Sequence, residues 1–168
     1  MSRGFVKEDD LEHAGTDLPE RPISEHPNYV TPAGLHALQI QQIQLEQERL
    51  TLIPLKEDPA ILQRLGMVER DLRYLHTRLE MAILVEPASQ PNDQVLFGAR
   101  IELEDDNGGQ HVFSIVGEDE ADIAMLKVSW FSPLAKALIG HKVGDNVIWK
   151  RPVGDIPIEI IKISYGLP

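Results

Sequence analysis

The sequence predicts an α+β protein: an antiparallel helical hairpin, then a small antiparallel sheet carrying one short helix. Three observations predict it. From Ile61 to Ala82, apolar side chains recur at alternating spacings of four and three, the seam of a helix that packs on another helix. From Val95 onward the apolar period changes to two, the period of half-buried strands. A capping residue followed at once by proline occurs at Thr31-Pro32, Asp58-Pro59 and Ser132-Pro133, and each such pair opens a helix.

Taken in order, residues 1–31 are polar and proline-bearing, with 7 acidic and 3 basic side chains and no sustained period. They are expected to form a mostly disordered acidic tail. Thr31 and Pro32 then start a helix that runs to about Leu52, with Leu35, Leu38, Leu45 and Leu52 on its seam and Gln42 and Arg49 interrupting it. A short acidic turn holds Lys56, Glu57 and Asp58. Asp58 caps the second helix, whose seam is Ile61, Leu65, Val68, Leu72, Leu75, Leu79 and Ala82 and which Pro87 ends. The hairpin thus covers 32–86, residues 87–94 are a linker, and 95–168 form the second domain. In that domain "VLFGARIELE" is a strand, "DDNGG" a hairpin turn, and "QHVFSIVG" the returning strand. "MLKVSW" is a third strand, leading to a helix capped by Ser132 and closed by Gly140. "VGD" turns the chain into "NVIWKR", and "IPIEIIKISY" is the last strand.

Composition narrows the function. Net charge is −11 and spread along the chain: residues 32–86 carry 8 acidic and 6 basic side chains, and residues 95–168 carry 11 and 7. With no basic segment, autonomous nucleic-acid binding by phosphate neutralisation is not expected, and a protein partner suits this charge better. No apolar run approaches the roughly 20 residues of a membrane span, the N-terminus "MSRGFVKEDDLEH" lacks the apolar core of a secretory signal, and cysteine is absent. These features point to a cytoplasmic protein with no membrane contact. The six histidines show no metal-ligand spacing, so no metal or cofactor is expected in the isolated protein.

Four stretches, "VLFGARIEL", "SIVGEDEAD", "SPLAKALIG" and "VGD" at 143–145, followed by "IEIIKISY", resemble in order and spacing the C-terminal domain of the Gre family of bacterial transcript-cleavage factors. "YVTPAGLHAL" and "RDLRYLHTRLEMAILVE" extend the resemblance into the hairpin. The resemblance implies an FKBP-like C-terminal domain that docks on RNA polymerase at its secondary channel, and a coiled-coil hairpin that enters the channel. It implies bacterial RNA polymerase as partner, nucleic acid met only inside the transcription complex, and a monomer that is no enzyme by itself. The family's tip acids help hold a Mg²⁺ of the polymerase that activates water for RNA hydrolysis. Carried over position by position, docking falls to Phe131, Ser132 and Pro133 with the acidic loop Glu118, Asp119 and Glu120, and the tip acids would be Glu57 and Asp58.

The chain departs from the family at the tip. The pattern Gly-Asp-x-x-Glu-Asn-x-x-Tyr is absent, and Glu57 and Asp58 stand beside Lys56. Each arm looks about two turns short, on the order of 12 Å of reach. The expected function is therefore a transcription elongation regulator that occupies the channel and modulates the polymerase without driving cleavage. The alternative is a true cleavage factor using Glu57 and Asp58 as Mg²⁺ helpers. A further alternative is a peptidyl-prolyl isomerase, which would need an aromatic-lined pocket; Phe97, Phe113, Trp130, Phe131 and Trp149 are few and fall largely at core positions by alternation.

Overall fold

The computed structural model describes residues 18–166. The chain divides into two compact units, one made of Leu38–Met81 with the segment before His26, the other of Pro27–Ala37 with the chain from Ala82 onward. The fold is α+β.

The first helix, α1, spans Pro32–Leu52, its residues from Leu38 on belonging to the helical unit, and the second, α2, spans Pro59–Glu80. The side chains of α2 that reach full burial are Leu65, Val68, Leu75 and Arg78, the first three on the four-three seam. Cross-helix ion pairs join Glu48 to Arg64 and Arg49 to Glu69, and a Glu46 carboxylate oxygen lies 3.9 Å from the His76 ring. All of these pairs are substantially solvated, where an ion pair contributes about 0–1 kcal/mol. Asp58 caps α2 as expected, its carboxylate accepting from the Ala60 N–H at 2.9 Å.

Two expectations for this part of the chain fail. Within the supposed disordered tail, Glu20 accepts from the Arg73 guanidinium at 2.6 Å, and Arg21 lies 3.8 Å from the centre of the Tyr74 ring. An Arg–carboxylate fork and a guanidinium stacked on an aromatic ring order these residues although they share no periodicity. Asn28–Val30 form a strand, β1. Residues 1–17 lie outside the described residues. The second helix also ends at Glu80 rather than near Pro87, because Ala82–Leu84 leave it to form β2, paired in parallel with β1. Ile83 and Val85 are β-branched and favour the extended state, and the backbone of β1 supplies their ladder, with Val85 N–H donating to Val30 C=O at 3.0 Å.

The second unit is built on a five-stranded sheet of β3 (Arg100–Asp105), β4 (Gln110–Val116), β5 (Lys127–Ser129), β6 (Asn146–Trp149) and β7 (Ile156–Ser164), in the order β5-β4-β3-β7-β6. The sheet is mixed, not purely antiparallel: β5 runs parallel to β4. The connection from Gly117 to Leu126 crosses over instead of turning back, through a 3₁₀ turn at Ile123–Met125 and a left-handed Leu126 at φ 57°. A left-handed conformation costs an L-residue roughly 1–2 kcal/mol.

The expected strand from Val95 becomes regular only at Arg100, because Gly98 turns at φ 86° over the Pro87 ring. The supposed linker 87–94 is likewise tied down, with Gln90 donating to the Phe97 carbonyl and Tyr165 donating to that of Gln94. In β7 the isoleucine pattern breaks alternation: Ile158 and Ile160 point inward, and so does Ile163, three positions on. A bulge opposite Glu102/Leu103 absorbs Ile161, so both halves of the strand feed one core. The third helix, α3 (Pro133–Leu138), buries Leu134, Ala135 and Leu138 in the same cluster as Ile101, Leu103 and Ile115.

Candidate functional site

The residues that the resemblance assigns to docking all lie on the second unit, where the parallel strands β4 and β5 end beside each other, Trp130 N–H donating to the Val116 carbonyl at 2.9 Å. On one side, β4 ends at Gly117 and the chain tightens into an acidic turn, with the N–H groups of Glu120 and Ala121 both donating to the Gly117 carbonyl at 3.2 Å. Gly117 is required here: a Cβ on it would sit 2.4 Å from the carbonyl oxygen of Tyr29. The three acids then diverge in use. Asp119 is exposed and Glu118 half-buried. Glu120 points inward, where its carboxylate accepts from the Thr31 hydroxyl and lies 3.4 Å from Lys127 Nζ. Thr31 in turn accepts from the Gly34 N–H at 3.0 Å, capping α1. One hydroxyl thus satisfies a helix terminus and ties it to the acidic turn. Glu120 is a structural tie as much as a surface charge, and a Cβ on Gly34 would fall 2.6 Å from its carboxylate.

On the other side, Ser129 to Pro133 bend the chain from β5 into α3. The Ser129 hydroxyl accepts from the Phe131 N–H at 3.1 Å, and its carbonyl accepts from the Ser132 N–H at 2.9 Å. Ser132 caps α3 by accepting from the Ala135 N–H at 3.2 Å, and Pro133 occupies the first helical position in full exposure. Trp130 and Phe131 follow the end of β5, and their rings meet edge-on at 5.5 Å. Trp130 packs against the sheet core and meets the Tyr29 ring edge-on at 5.1 Å. Phe131 lies outside that cluster, half-buried, with the Lys136 ammonium 3.5 Å from the centre of its ring. A rim of aromatic, proline, cation and carboxylate in one short stretch suits a protein contact, where aromatic side chains anchor and charges orient.

Lys136 and Ser129 are not among the residues that the sequence marks out, and Thr31 is marked out only as a helix cap. Lys136 was legible: it stands four positions after the cap and Phe131 one before it, the spacing at which side chains meet across a helix start. Ser129 acts through a local turn that the sequence pattern does not single out, and only the bond from Thr31 to Glu120 lies beyond any local pattern.

The other candidates, Glu57 and Asp58, sit on the turn between α1 and α2. Ile53–Leu55 form a 3₁₀ turn closed by the Asp58 N–H donating to Leu55 C=O at 3.1 Å. Both acids are exposed. One Asp58 oxygen is engaged by the Ala60 N–H. Among the described residues no cluster of three or more His, Cys, Asp or Glu side chains could hold a metal ion. The donor set at the turn, two adjacent acids with one engaged in capping and a lysine alongside, does not fit a resident Mg²⁺, which calls for near-octahedral oxygen ligation.

Comparison with known proteins agrees with this layout. The model of the family described as "Transcription elongation factor, GreA/GreB, C-term" matches residues 90–165, which include all six docking candidates. The chain is 38% identical over 157 positions to transcription elongation factor GreB of Neisseria meningitidis serogroup B, an alignment covering 84% of this chain and 96% of the relative. Since 84% of 168 residues is about 141, roughly 16 positions of that alignment have no residue in this chain. Transcription elongation factor GreA of Pelobacter propionicus is 41% identical over 110 residues, 65% of this chain and 70% of the relative. Among solved structures, GreA factor homolog 1 (Gfh1) of Thermus thermophilus is similar at 25% identity, 83% coverage of this chain and 99% of that one, with a TM-score of 0.41. In the described residues no helix is long and apolar enough to cross a membrane. The chain belongs to the GreA/GreB family of transcription elongation factors.

Proposed function

We propose that this protein is a regulator of transcription elongation that docks on bacterial RNA polymerase through its FKBP-like sheet unit and directs the turn between α1 and α2 into the secondary channel as the tip of a coiled-coil hairpin. It acts as a cytoplasmic monomer and modulates the polymerase without supplying the acids for transcript cleavage. The observation that carries the second half of this reading is the use of Asp58. Its carboxylate is engaged by the first turn of α2, so a metal would compete with a helix cap for it, beside the positive charge of Lys56. A hairpin about two turns shorter in each arm, as its sequence suggests, loses on the order of 12 Å of reach. Metal–oxygen distances of 2.0–2.1 Å leave no tolerance for a gap of that size. Phe131, Ser132 and Pro133, with Asp119 and Glu118, form the docking contact, and Glu120 keeps the acidic turn in place. Isomerase chemistry has little support, since Phe113 belongs to the core and Phe97, Trp130 and Trp149 pack against it.

Two measurements test this. Backtracked complexes of bacterial RNA polymerase, incubated with the protein, are expected to shorten their transcripts no faster than without it. Rapid shortening that disappears on Glu57→Ala or Asp58→Ala would overturn the modulatory reading and restore the cleavage-factor alternative. Docking is tested separately. Ser132→Asp retains a capping side chain while adding charge, and Pro133→Arg adds bulk at an exposed position; both are expected to abolish polymerase binding with the melting temperature kept. Undiminished binding would remove the assigned face.

A further inference from the structure

The crossover between β4 and β5 spends structure on a feature the fold does not use. Ile123, Met125 and Leu126 are 69%, 64% and 50% exposed, three large apolar side chains within four residues. They are not on a loose loop. Asp122 accepts from the Ala124 N–H at 3.0 Å, the N–H groups of Met125 and Leu126 close the 3₁₀ turn, and Asp122 and Lys127 exchange a pair of backbone hydrogen bonds at 3.0 Å. Leu126 C=O accepts from the Ser114 N–H of β4, which locks the turn to the sheet. Leu126 is also the one non-glycine residue with positive φ among the described residues, at φ 57° and ψ 33°. Glycine or asparagine is the ordinary occupant of that conformation. A leucine there is strained, and its exposed side chain returns little packing to the fold. Strain held by a rigid surround, together with exposed apolar surface, is the signature of a site whose counterpart lies outside the chain.

We propose that Ile123, Met125 and Leu126 form an apolar knuckle that is a second anchor of the docking face, seated on an apolar patch of the partner protein bordered by arginine or lysine. The occupant follows from charge. The segment 117–127 carries Glu118, Asp119, Glu120 and Asp122 against Lys127 alone, and Lys127 is already matched to Glu120. Asp122 stands exposed directly beside the knuckle, and Asp119 is exposed in the turn that leads to it. An apolar centre with an acidic rim is complementary to an apolar centre with a basic rim, and it disfavours a second copy of this acidic chain, whose knuckle would bring like charges together. The inference rests on the polymerase-docking reading above and extends it: β5 runs directly from the knuckle to Phe131–Pro133, so both anchors belong to one rigid edge of the sheet.

The test compares the parent protein with Leu126→Gly and with the triple variant Ile123→Ser, Met125→Ser, Leu126→Gly, measuring melting temperature, mass by light scattering and affinity for bacterial core RNA polymerase. Because glycine suits φ 57° and none of the three side chains is buried, both variants are expected to melt at or above the parent temperature with the parent mass. The triple variant is expected to bind about tenfold or more weakly, the loss typical of a buried anchor, and Leu126→Gly several-fold more weakly. Parent-like affinity of the triple variant overturns the knuckle while leaving the docking reading intact. A dimeric parent that becomes monomeric in the triple variant assigns the knuckle to self-association and overturns it as well. A fall in melting temperature overturns it by giving the side chains a role inside the fold. Failure of the parent to bind polymerase overturns the docking reading and the knuckle with it.

Discussion

The helical unit and the sheet unit are held together by different physics. In the sheet unit fourteen buried side chains form one cluster, drawn from all five strands, from α3 and from the chain between β2 and β3. In the helical unit the buried apolar side chains are Leu38 of α1 and Leu65, Val68 and Leu75 in a single row of α2, with solvated ion pairs beside them. A cluster closed in three dimensions loses packing on every side when one member is cut. A row of side chains depends far more on local devices, such as the Asp58 cap and the pairs between Glu48 and Arg64. The lesson is a division of labour: the sheet unit, to which we assign docking, owns the deep core, and the helices rest on a thinner apolar row.

The sharpest way to break this contrast is to cut both interiors. Leu103→Ala, in the middle of the sheet cluster, is expected to cost about 2–5 kcal/mol. Urea unfolding followed by tryptophan fluorescence reads it directly, since Trp130 and Trp149 both belong to the sheet unit. Leu75→Ala is expected near the lower end of the same range, about 2–3 kcal/mol. It should lower the helical transition seen by circular dichroism while the tryptophan transition stays in place; coincident shifts in both signals would erase the distinction between the units. Asp58→Ala removes a cap and is expected to cost about 1 kcal/mol, again in the helical signal alone.

The smallest effect sharpens the comparison by its sign. The Arg64 guanidinium, hydrogen-bonded to Glu48, holds that carboxyl below its usual range. A lowered native value makes the pair's contribution fully present above the ordinary carboxylate range, and it is lost as pH falls through the lowered value. Glu48→Gln is expected to cost well under 1 kcal/mol at neutral pH, because the pair is solvated, and nothing once both carboxyls are protonated in acid. High salt should shrink the difference further. A loss that persists in acid would show that Glu48 acts through packing.

Much of this was legible in particular residues. Asp58-Pro59 and Ser132-Pro133 announced their helices because a cap and the first helical residue are adjacent in sequence, and the "DDNGG" turn and the strands around it followed from short-range rules. The end of α2 was not legible: its seam runs on to Ala82, and only the presence of β1, more than fifty residues earlier, makes the extended state of Ala82–Leu84 the better bonded one. The parallel course of β5 was hidden for a similar reason. "MLKVSW" reads as a strand in either direction, and its direction is decided by the crossover through Leu126. At the candidate site, Ser132, Pro133 and the acidic loop were legible as motifs. What they do locally was not: Glu120 is turned inward by Thr31, and Phe131 is covered by Lys136.

By itself, then, the sequence determined the α+β class, the caps, the seam and the family, because each depends on residues within a turn or two of one another or on a pattern shared with relatives. Tertiary structure alone decided where α2 stops, which way β5 runs, which acid of the loop faces inward and which apolar side chains are left outside. Those outcomes depend on hydrogen-bond partners and excluded volume supplied from distant parts of the chain, and a local pattern carries no information about what the chain will bring up against it.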